Sequence, residues 1–453
     1  MDHLIVSEKS YFSFKDENLI RMILVYSHKI SPRLTYIFRQ IFIRVLELPV
    51  DFTSTIEKFV SHSGPKLSYT HQPLGNEFFI ACHDLLFQKG IQEISIEVTH
   101  WSKIPAFFKL GKTSQLPFDI FAASFYLVSR YEEFLPQVKN KLGAFVSHQS
   151  LASKNNFLQI PVVDLWAVRL RDKLHEFFPE LQHVSWKKPI FQPIISVVNP
   201  YQYEKKSLLL KLTDTLSALW QFDFFSIIEQ SSVLLGLGKD PHNNFEELES
   251  LFKETGNKPL YFFLFSKNTF YDRGVSIHNF SFRELIKNTA DLNQVSLFAS
   301  YAAQQESKSL NYECQQLKKL IIKKIDSIRF NYGLLTASLG YYNLLEQEIQ
   351  KDYSMGYIDE VGYRASTAVP FYFYDLNNEL QTPLKIYPVV ADEVGLRKFS
   401  NKKAFKKLME LYENLPTSSS YHGVSFSNAI LHSGEIKNSW RDQFINYLKY
   451  HAR

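Results

Sequence analysis

The sequence is poor in cysteine, and this limits the kinds of protein it can encode. Only Cys82 and Cys314 occur among 453 residues, far apart and outside any C-x-x-C pattern. Two cysteines cannot build a disulfide framework, and a chain without paired cysteine motifs is typical of a reducing compartment. We therefore expect a cytoplasmic protein.

Long apolar runs and dense basic clusters are also missing. No window reaches the roughly 18 apolar residues of a membrane span, and the first residues lack a basic head followed by an apolar stretch. The net charge of +5 is spread along the chain, and lysine pairs such as Lys323-Lys324 do not extend into a continuous run. The sequence predicts neither a transmembrane segment nor nucleic-acid binding.

The composition indicates a folded protein with an aromatic core. Hydrophobic residues make up 45% of the chain, charged residues 21% and aromatic residues 15%. The first two values are typical of globular proteins, and the length suggests two domains. Core packing explains most of the aromatic excess, and stacking on a sugar is an alternative for a few exposed tyrosines or tryptophans.

The domain organisation follows from changes of pattern along the chain. We predict an extension over residues 1–21, an α/β domain over residues 22–185 and a second domain over residues 190–453. A short apolar strand follows Met22, which makes Met22 a second candidate for the start of the chain. Prolines that bracket a short apolar strand mark the boundary near residues 184–193.

Helices are predicted at three places in the first domain. The Ser31-Pro32 pair suits the start of a helix that extends to about Leu48, since proline is tolerated in a first helical turn. Residues 116–134 repeat apolar side chains at helical spacing, and Pro161 opens a third helix.

From residue 190 onward, short apolar strands alternate with helical stretches. Residues 260–265 predict a buried strand, 281–292 a helix, 295–298 a strand and 313–325 a helix. This alternation predicts a mostly parallel sheet or barrel.

The most distinctive stretch runs from Asp352 to Asp375 and reads DYSMGYIDEVGYRASTAVPFYFYD. It resembles the barrel core of polysaccharide deacetylases, in a two-domain bacterial branch of that superfamily. The matching positions are Gly356, Gly362, Arg364, Pro370 and Asp375. The resemblance implies an α/β fold in which an amino-terminal α/β domain precedes a distorted (β/α) barrel.

The family's first motif, similar to P-T-x-D-x-D-N, provides a catalytic base and a metal ligand. Here residues 193–199 read PIISVVN, so that Ser196 and Val198 stand at the carboxylate positions and only Asn199 is retained. A valine cannot bind a metal, and a serine is a poor base.

The second motif, similar to G-x-H-P-S-Y, provides a metal-binding histidine in the family. Here residues 296–301 read SLFASY, with Phe298 at the histidine position. Ser300 and Tyr301 are retained, which supports the alignment.

The two remaining motifs lose a histidine as well. A motif similar to S-R-Q-H reads SIRF at residues 327–330, with Phe330 last. A motif similar to S-L-W-H-N reads SFSNA at residues 425–429, with Asn428 at the histidine position.

A count of histidines leads to the same conclusion. Between residues 190 and 421 only His242 and His278 occur, both in polar, loop-like contexts. Barrel active sites lie at the carboxyl ends of strands, which makes these two poor candidates for ligands. The resemblance implies a divalent metal, zinc above all, yet the residues predict no metal site and no cofactor.

The positions that remain suggest a groove without a metal. Its candidate residues are Asn199, Ser300, Tyr301, Arg364 and Asp375. In the active enzymes of the family the arginine of this segment lies close to the active site. The resemblance therefore implies that Arg364 is able to hold an anionic or polar ligand. The alternative is that it pairs with a carboxylate such as Asp359 or Asp375.

Two further sets of polar residues each allow two interpretations. His422 and His432, together with Asp392 and Glu393, form a rebuilt polar site in one interpretation, and surface histidines in the other. In the first domain the concentrated polar residues form either a binding site or a helix start with surface ion pairs. These are His28, Lys29, Arg33, Arg130, Glu132 and Glu133.

The first hypothesis is a non-catalytic deacetylase homologue, or pseudoenzyme, that binds a saccharide or a protein partner in surface-polysaccharide metabolism. The second is an active metal-dependent carbohydrate N-deacetylase with relocated ligands. The third is a structural member of an envelope-biosynthesis assembly, in which Phe298 and Phe330 fill the groove.

Overall fold

The protein is described by a computed structural model that covers residues 22–181, 188–204, 220, 224–416, 420–432 and 439–452. The predicted extension over residues 1–21 lies outside the described residues, as does most of the predicted boundary segment, since residues 182–187 are not described. The partition into domains therefore stays a prediction.

The amino-terminal part is built on a parallel sheet of four strands in the order β2-β1-β3-β4. The strands are β1 Ile23–Tyr26, β2 Val50–Thr53, β3 Lys66–Thr70 and β4 Phe78–Ala81. Strand β1 confirms the strand predicted after Met22. A separate antiparallel hairpin consists of β5 Thr99–Trp101 and β6 Ile104–Ala106.

Helices cover this sheet, and their starts follow the sequence. Ser31 Oγ accepts a hydrogen bond from the Leu34 amide at 3.0 Å and so caps the first helix, as Ser31-Pro32 predicts. The helix ends in a π-helical stretch, Gln40–Val45, slightly before the predicted end. The helices are α1 Pro32–Arg39, α2 Ile56–Ser61, α3 Ile120–Val128, α4 Leu151–Lys154 and α5 Val162–Phe177.

Helix α3 is buried on all sides, which explains its uniformly apolar sequence. Asp119 caps it and accepts hydrogen bonds from the amides of Phe121 and Ala122 at 3.0 and 2.9 Å. Burial raises the pKa of Asp119 to about 6, although these amides favour its charged form.

The carboxyl-terminal part is a closed barrel. Seven parallel strands follow the order β11-β10-β9-β8-β7-β14-β13, and β11 pairs with β13 to close the ring, while β12 adds to β13 in antiparallel direction. The strands are β7 Ile190–Val197, β8 Leu260–Phe263, β9 Gln294–Ala299, β10 Ser327–Phe330, β11 Lys351–Met355, β12 Phe371–Asp375, β13 Leu380–Asp392 and β14 Tyr421–Ser427. The predicted (β/α) barrel is thus confirmed.

Helices surround the barrel, and all but the last of them lie between successive strands in the sequence. Those in the described residues are α6 Phe224–Leu234, α7 Phe245–Thr255, α8 Phe280–Leu292, α9 Tyr301–Gln305, α10 Ser307–Ile321, α11 Ala337–Glu346, α12 Glu393–Leu396, α13 Asn401–Glu413 and α14 Trp440–Tyr450. None of the helices in these described residues combines the length and the apolarity that crossing a bilayer requires.

Alternate residues of each barrel strand face the lumen or the surrounding helices. A small apolar cluster fills the lumen and contains Ile194, Phe262, Phe298, Tyr353 and Tyr421. The larger core lies outside the barrel and continues without a break into the amino-terminal part.

The segment between β11 and β13 joins the two parts. Tyr36 Oη donates to the Tyr372 carbonyl at 2.7 Å, and Arg33 Nε donates to Glu379 Oε2 at 2.8 Å. Asp164 of α5 accepts hydrogen bonds from the Thr367 hydroxyl and the Ala368 amide. The stretch that carries the family resemblance is therefore also the stretch against which the amino-terminal part packs.

Candidate functional site

Arg329 is the central polar residue of the barrel lumen. It lies on β10 opposite Phe298 of β9, so both side chains occupy the same face of the sheet. Its guanidinium donates from Nε to Ser196 Oγ at 3.2 Å and from Nη2 to Asp392 Oδ2 at 2.8 Å. Its Nη1 donates to the carbonyl of Tyr353. Three strands besides its own hold this cation in place.

The surroundings of Arg329 are polar and only partly open to solvent. Ser196 Oγ and Ser425 Oγ are 3.0 Å apart and share a hydrogen bond. The Arg329 side chain is 2% exposed, whereas Asp392 keeps 13% of its side-chain surface in solvent. The pair neutralises its own charge, which makes burial of the cation tolerable.

Among the described residues, those at the motif positions of this end of the barrel do not fit a divalent metal. Ser196 contacts a cation already, and Val198 and Phe298 carry no ligand atom. Over the part of the chain that the structure describes, no three His, Cys, Asp or Glu side chains come together in a group able to hold a metal. Arg329 is fixed next to the position where the resemblance places the catalytic carboxylate.

Phe298 and Phe330 lie on opposite faces of the barrel wall, so the expectation that both fill the groove is wrong for Phe330. Phe298 belongs to the apolar cluster of the lumen, whereas Phe330 packs in the outer core, close to Gly340 of α11. Strand alternation explains the difference, since Phe330 directly follows the inward-facing Arg329.

Asn199 and Asn428, from the first and last motifs, lie together. Asn428 Nδ2 donates to the carbonyl of Asn199 at 3.1 Å and to the carbonyl of His242 at 2.8 Å. His242 in turn approaches the Asn199 carbonyl with Nδ1 at 3.1 Å. These contacts order the loops after β7 and β14, so that the amide of Asn428 serves a structural purpose here.

Ser300 has a capping function at the start of α9. Its Oγ accepts from the Ala303 amide at 3.1 Å and donates to Glu313, whose pKa burial raises to about 8. The Ser300 hydroxyl thus makes both of its hydrogen bonds inside the protein.

Tyr301 lies at the rim of the barrel and faces the amino-terminal part. Its ring lies 4.2 Å from that of Tyr271, and its Oη donates to the Leu142 carbonyl at 3.2 Å. Phe145 also donates its amide to the Leu335 carbonyl at 3.3 Å. A turn formed by residues 139–145 therefore reaches the carboxyl-terminal end of the barrel.

Arg364 pairs with neither Asp359 nor Asp375, contrary to the expectation for its structural role. Its Nε and Nη2 donate to the two carboxylate oxygens of Glu133, each at 2.8 Å. Its Nη1 donates to the carbonyls of Leu334 and Gly356 at 2.9 and 3.3 Å. Sequence reasoning could not find this partner, because 231 residues separate the two side chains.

Asp375 lies apart from the lumen residues. It accepts hydrogen bonds from Tyr342 Oη and from Asn378 Nδ2, the latter at 2.7 Å, in the turn that follows β12. The structure gives no contact between Asp375 and Arg329 or Arg364.

Only one member of the second polar set reaches the lumen. Asp392 binds Arg329, whereas His422 faces outward and approaches Tyr447 Oη at 2.8 Å, where burial lowers its pKa to about 3. His432 lies near Glu229 at the surface. Glu393 accepts from the Ser427 amide at 2.7 Å. The four residues thus do not form the rebuilt site.

The polar set of the amino-terminal part is largely buried, so surface ion pairs do not describe it. Arg130 donates to Glu132 and Glu133, both at 2.8 Å, and Arg33 binds Glu379. These side chains belong to the contact with the barrel. His28 and Lys29 are exposed instead, and the His28 ring lies 4.5 Å from the tilted ring of Phe87.

Sequence reasoning missed Arg329. This residue belongs to the motif at residues 327–330, in which the family's histidine position is the last residue, Phe330. The signal was present in the alternation of β10, where Ser327 and Arg329 share a face. What the sequence lacked was the register, which places Ser327 Oγ against Ser296 Oγ and Arg329 beside Phe298.

Comparisons with known proteins match different parts of the chain. A model of a family of unknown function (DUF7033) matches residues 23–179, which include the whole four-stranded sheet. No curated protein sequence is significantly similar to the chain.

Several solved structures align with more than half of the chain at low identity. A Mycobacterium smegmatis protein classed as a polysaccharide deacetylase has 11% identity and a TM-score of 0.35, over 59% of this chain and 86% of its own. The PuuE allantoinase has 11% identity and a TM-score of 0.37, over 57% and 83%. A Pseudomonas aeruginosa PAO1 protein classed as a polysaccharide deacetylase has 11% identity and a TM-score of 0.36, over 57% and 84%. Such distant likenesses give no information on the activity of this chain.

Proposed function

We propose that this chain is a non-catalytic homologue of polysaccharide deacetylases, and that it binds a saccharide at the carboxyl-terminal end of its barrel. A protein partner in surface-polysaccharide metabolism would bind at the same carboxyl-terminal end of the barrel. The barrel keeps the scaffold, while its lumen holds an arginine in place of the groups that hydrolysis of an acetamide requires.

Arg329 is the observation that carries this proposal. Its guanidinium binds Ser196 and Asp392, so the hydroxyl and the carboxylate that could serve a metal are already committed to a cation of the protein. Binding a metal there would separate both groups from Arg329, whose buried charge would then lack its carboxylate partner. Metal-dependent hydrolysis also needs a base and an acid that act together with the ion, and losing several such groups removes the mechanism as a unit.

Saccharide binding is supported by the aromatic rim. Tyr271 and Tyr301 lie 4.2 Å apart at the ends of neighbouring strands, and Tyr332 donates its hydroxyl to the Tyr271 carbonyl. Tyr271 keeps 39% of its surface exposed, which leaves ring surface for stacking. Ser196 and Asp392 offer partly exposed hydroxyl and carboxylate groups to the hydroxyls of a sugar.

The test for catalysis is elemental analysis of protein purified without chelators or affinity metals, combined with an acetate-release assay on N-acetylglucosamine oligomers. We expect far less than one equivalent of transition metal and no acetate above the uncatalysed level, before and after incubation with excess zinc. One equivalent of zinc with acetate release would instead establish an active deacetylase.

The test for binding is calorimetric titration with an N-acetylglucosamine tetramer and its deacetylated form. We expect Tyr271→Ala to weaken binding about tenfold, because about 1–3 kcal/mol is typical of a lost aromatic contact. Tyr450→Ala is the matched control, since Tyr450 is 44% exposed on α14. If wild-type protein binds neither tetramer, the saccharide part of the proposal is wrong.

A further inference from the structure

Residues 93–98 have the exposure pattern of a strand, although they pair with no other strand of the described residues. The side chains of Ile94, Ile96 and Val98 are half-buried, whereas those of Ser95 and Glu97 are exposed. An alternation with a period of two residues is that of an extended chain with one face on the core.

The backbone of this segment is unpaired. Within the residues that the structure describes, no hydrogen bond involves the amide or carbonyl groups of residues 93–98. Gln92 differs, because its amide and carbonyl both bind Tyr131 Oη, at 2.7 and 3.1 Å. The segment continues directly into β5, which pairs on one side only, with β6. A row of free donors and acceptors thus extends along one edge.

An apolar groove runs beside this edge. Its volume is about 590 Å³, and Ile94 and Ile96 form one of its walls. Its apolar lining also includes Tyr126, Leu135, Pro136, Val138, Phe145 and Leu151. Val138 is 73% exposed and so is accessible to a chain that enters the groove. Free backbone groups next to pockets for alternate side chains are the two requirements for adding a strand.

The charges along the edge are mainly acidic. Glu93 and Glu97 stand on its solvent-exposed face, and Glu132 lies in the groove, where Arg130 neutralises it. Lys154 is the basic residue among those that line the groove. Side chains directly opposite Glu93 and Glu97 on an added strand would be stabilised by positive charge, since opposite charges across a strand pair attract.

We propose that this edge and groove bind an extended segment of a partner protein by β-strand addition. The segment alternates apolar residues, which enter the groove, with lysine or arginine, which face Glu93 and Glu97. This interaction is independent of saccharide binding at the barrel, because it uses backbone groups and side chains of the amino-terminal part alone.

The test uses fluorescence anisotropy with a synthetic peptide in which valine and lysine alternate over about nine residues. We expect saturable binding to the full-length protein. A peptide with proline at its centre, which loses a ladder hydrogen bond, should bind at least tenfold more weakly, as should one with glutamate in place of lysine.

Variants of the protein locate the interaction. Val138→Lys should weaken binding about tenfold, because it places a charge in the apolar groove, and Val60→Lys should change it less than twofold. Val60 is 66% exposed on α2, so both variants should fold normally. No binding of the alternating peptide, or equal binding by all three peptides or by both variants, would overturn the proposal. A wild-type dimer that Val138→Lys converts to a monomer in analytical ultracentrifugation would overturn it too, by assigning the edge to a second copy of the chain.

Discussion

Arg364 and Glu133 form a buried, two-pronged ion pair between the barrel and the amino-terminal part. Nε and Nη2 of the arginine meet the two carboxylate oxygens at 2.8 Å each, and the side chains are 2% and 1% exposed. Burial alone would raise the pKa of Glu133, but Arg364 and Arg130 lower it to about 2. Arg364, a candidate for ligand binding or for pairing with a carboxylate, thus joins the barrel to the amino-terminal part through Glu133.

Removing the charge of Glu133 should therefore weaken the fold considerably. Glu133→Gln leaves the buried Arg364 without its carboxylate and Arg130 with Glu132 alone, and breaking such a buried pair costs about 3–5 kcal/mol. Urea denaturation would measure the change in the free energy of unfolding. Glu176→Gln is the control, because the pair of Glu176 with Lys173 is exposed and should contribute no more than about 1 kcal/mol. A loss below about 1 kcal/mol in Glu133→Gln would contradict the assignment.

Asp164 should make stability fall as the pH rises. Burial raises its pKa to about 7, so the folded state keeps a proton between about pH 4 and 7 that the unfolded state has released. Wild-type protein should lose more stability between pH 5 and pH 8 than Asp164→Asn, by roughly 1–4 kcal/mol. Urea titrations of both proteins at the two pH values measure this difference, and parallel losses would show that Asp164 titrates normally.

Gly362 should not tolerate a side chain. Its φ is +152°, and a Cβ would lie 2.5 Å from the Leu158 carbonyl oxygen of the amino-terminal part. We expect Gly362→Ala to lower the melting temperature, with a cost of about 1–3 kcal/mol or more. At Gly111 an added Cβ meets nothing within 4 Å, so Gly111→Ala serves as control. Equal melting temperatures for the two variants would argue against this close approach.

The Arg329–Asp392 pair can be tested by a double-mutant cycle. Arg329→Met should cost about 2–4 kcal/mol, because it leaves a carboxylate unpaired inside the barrel. Asp392→Asn keeps an oxygen that can accept from the Val394 amide, which Asp392 now binds at 3.0 Å. The double variant should be clearly less destabilised than the sum of the two single variants, by about 1 kcal/mol or more. Additive losses in urea denaturation would show that the two side chains are not coupled.

Much of the secondary structure could be predicted from the sequence, because the apolar patterns that indicate helices and strands are local. The apolar run at residues 260–265 became β8, and the repeat at residues 281–292 became α8. Burial on both faces gives parallel barrel strands continuous apolar sequences, which single them out from their surroundings.

The candidate site was harder to predict, because it depends on the register between strands and on side-chain partners that are far apart in the sequence. Whether Arg329 or Phe330 faces the lumen is decided by the pairing of β10 with β9, which the motif alone does not contain. Likewise, Arg130, Glu132 and Glu133 look like an exposed helix end in sequence. In the structure Arg364 binds Glu133 and Phe145 lies against Arg130, contacts that the local sequence does not reveal.

The contact between the two parts also sets an order for biosynthesis. Arg33, Glu133 and Asp164 leave the ribosome long before residues 362–379, which contain the partners of all three. Until then Arg33 and Asp164 lack these partners, whereas Glu133 already has Arg130 as its ion-pair partner. The amino-terminal part therefore reaches its final stability only when residues from the last quarter of the chain are available, unlike a domain that folds completely as it emerges.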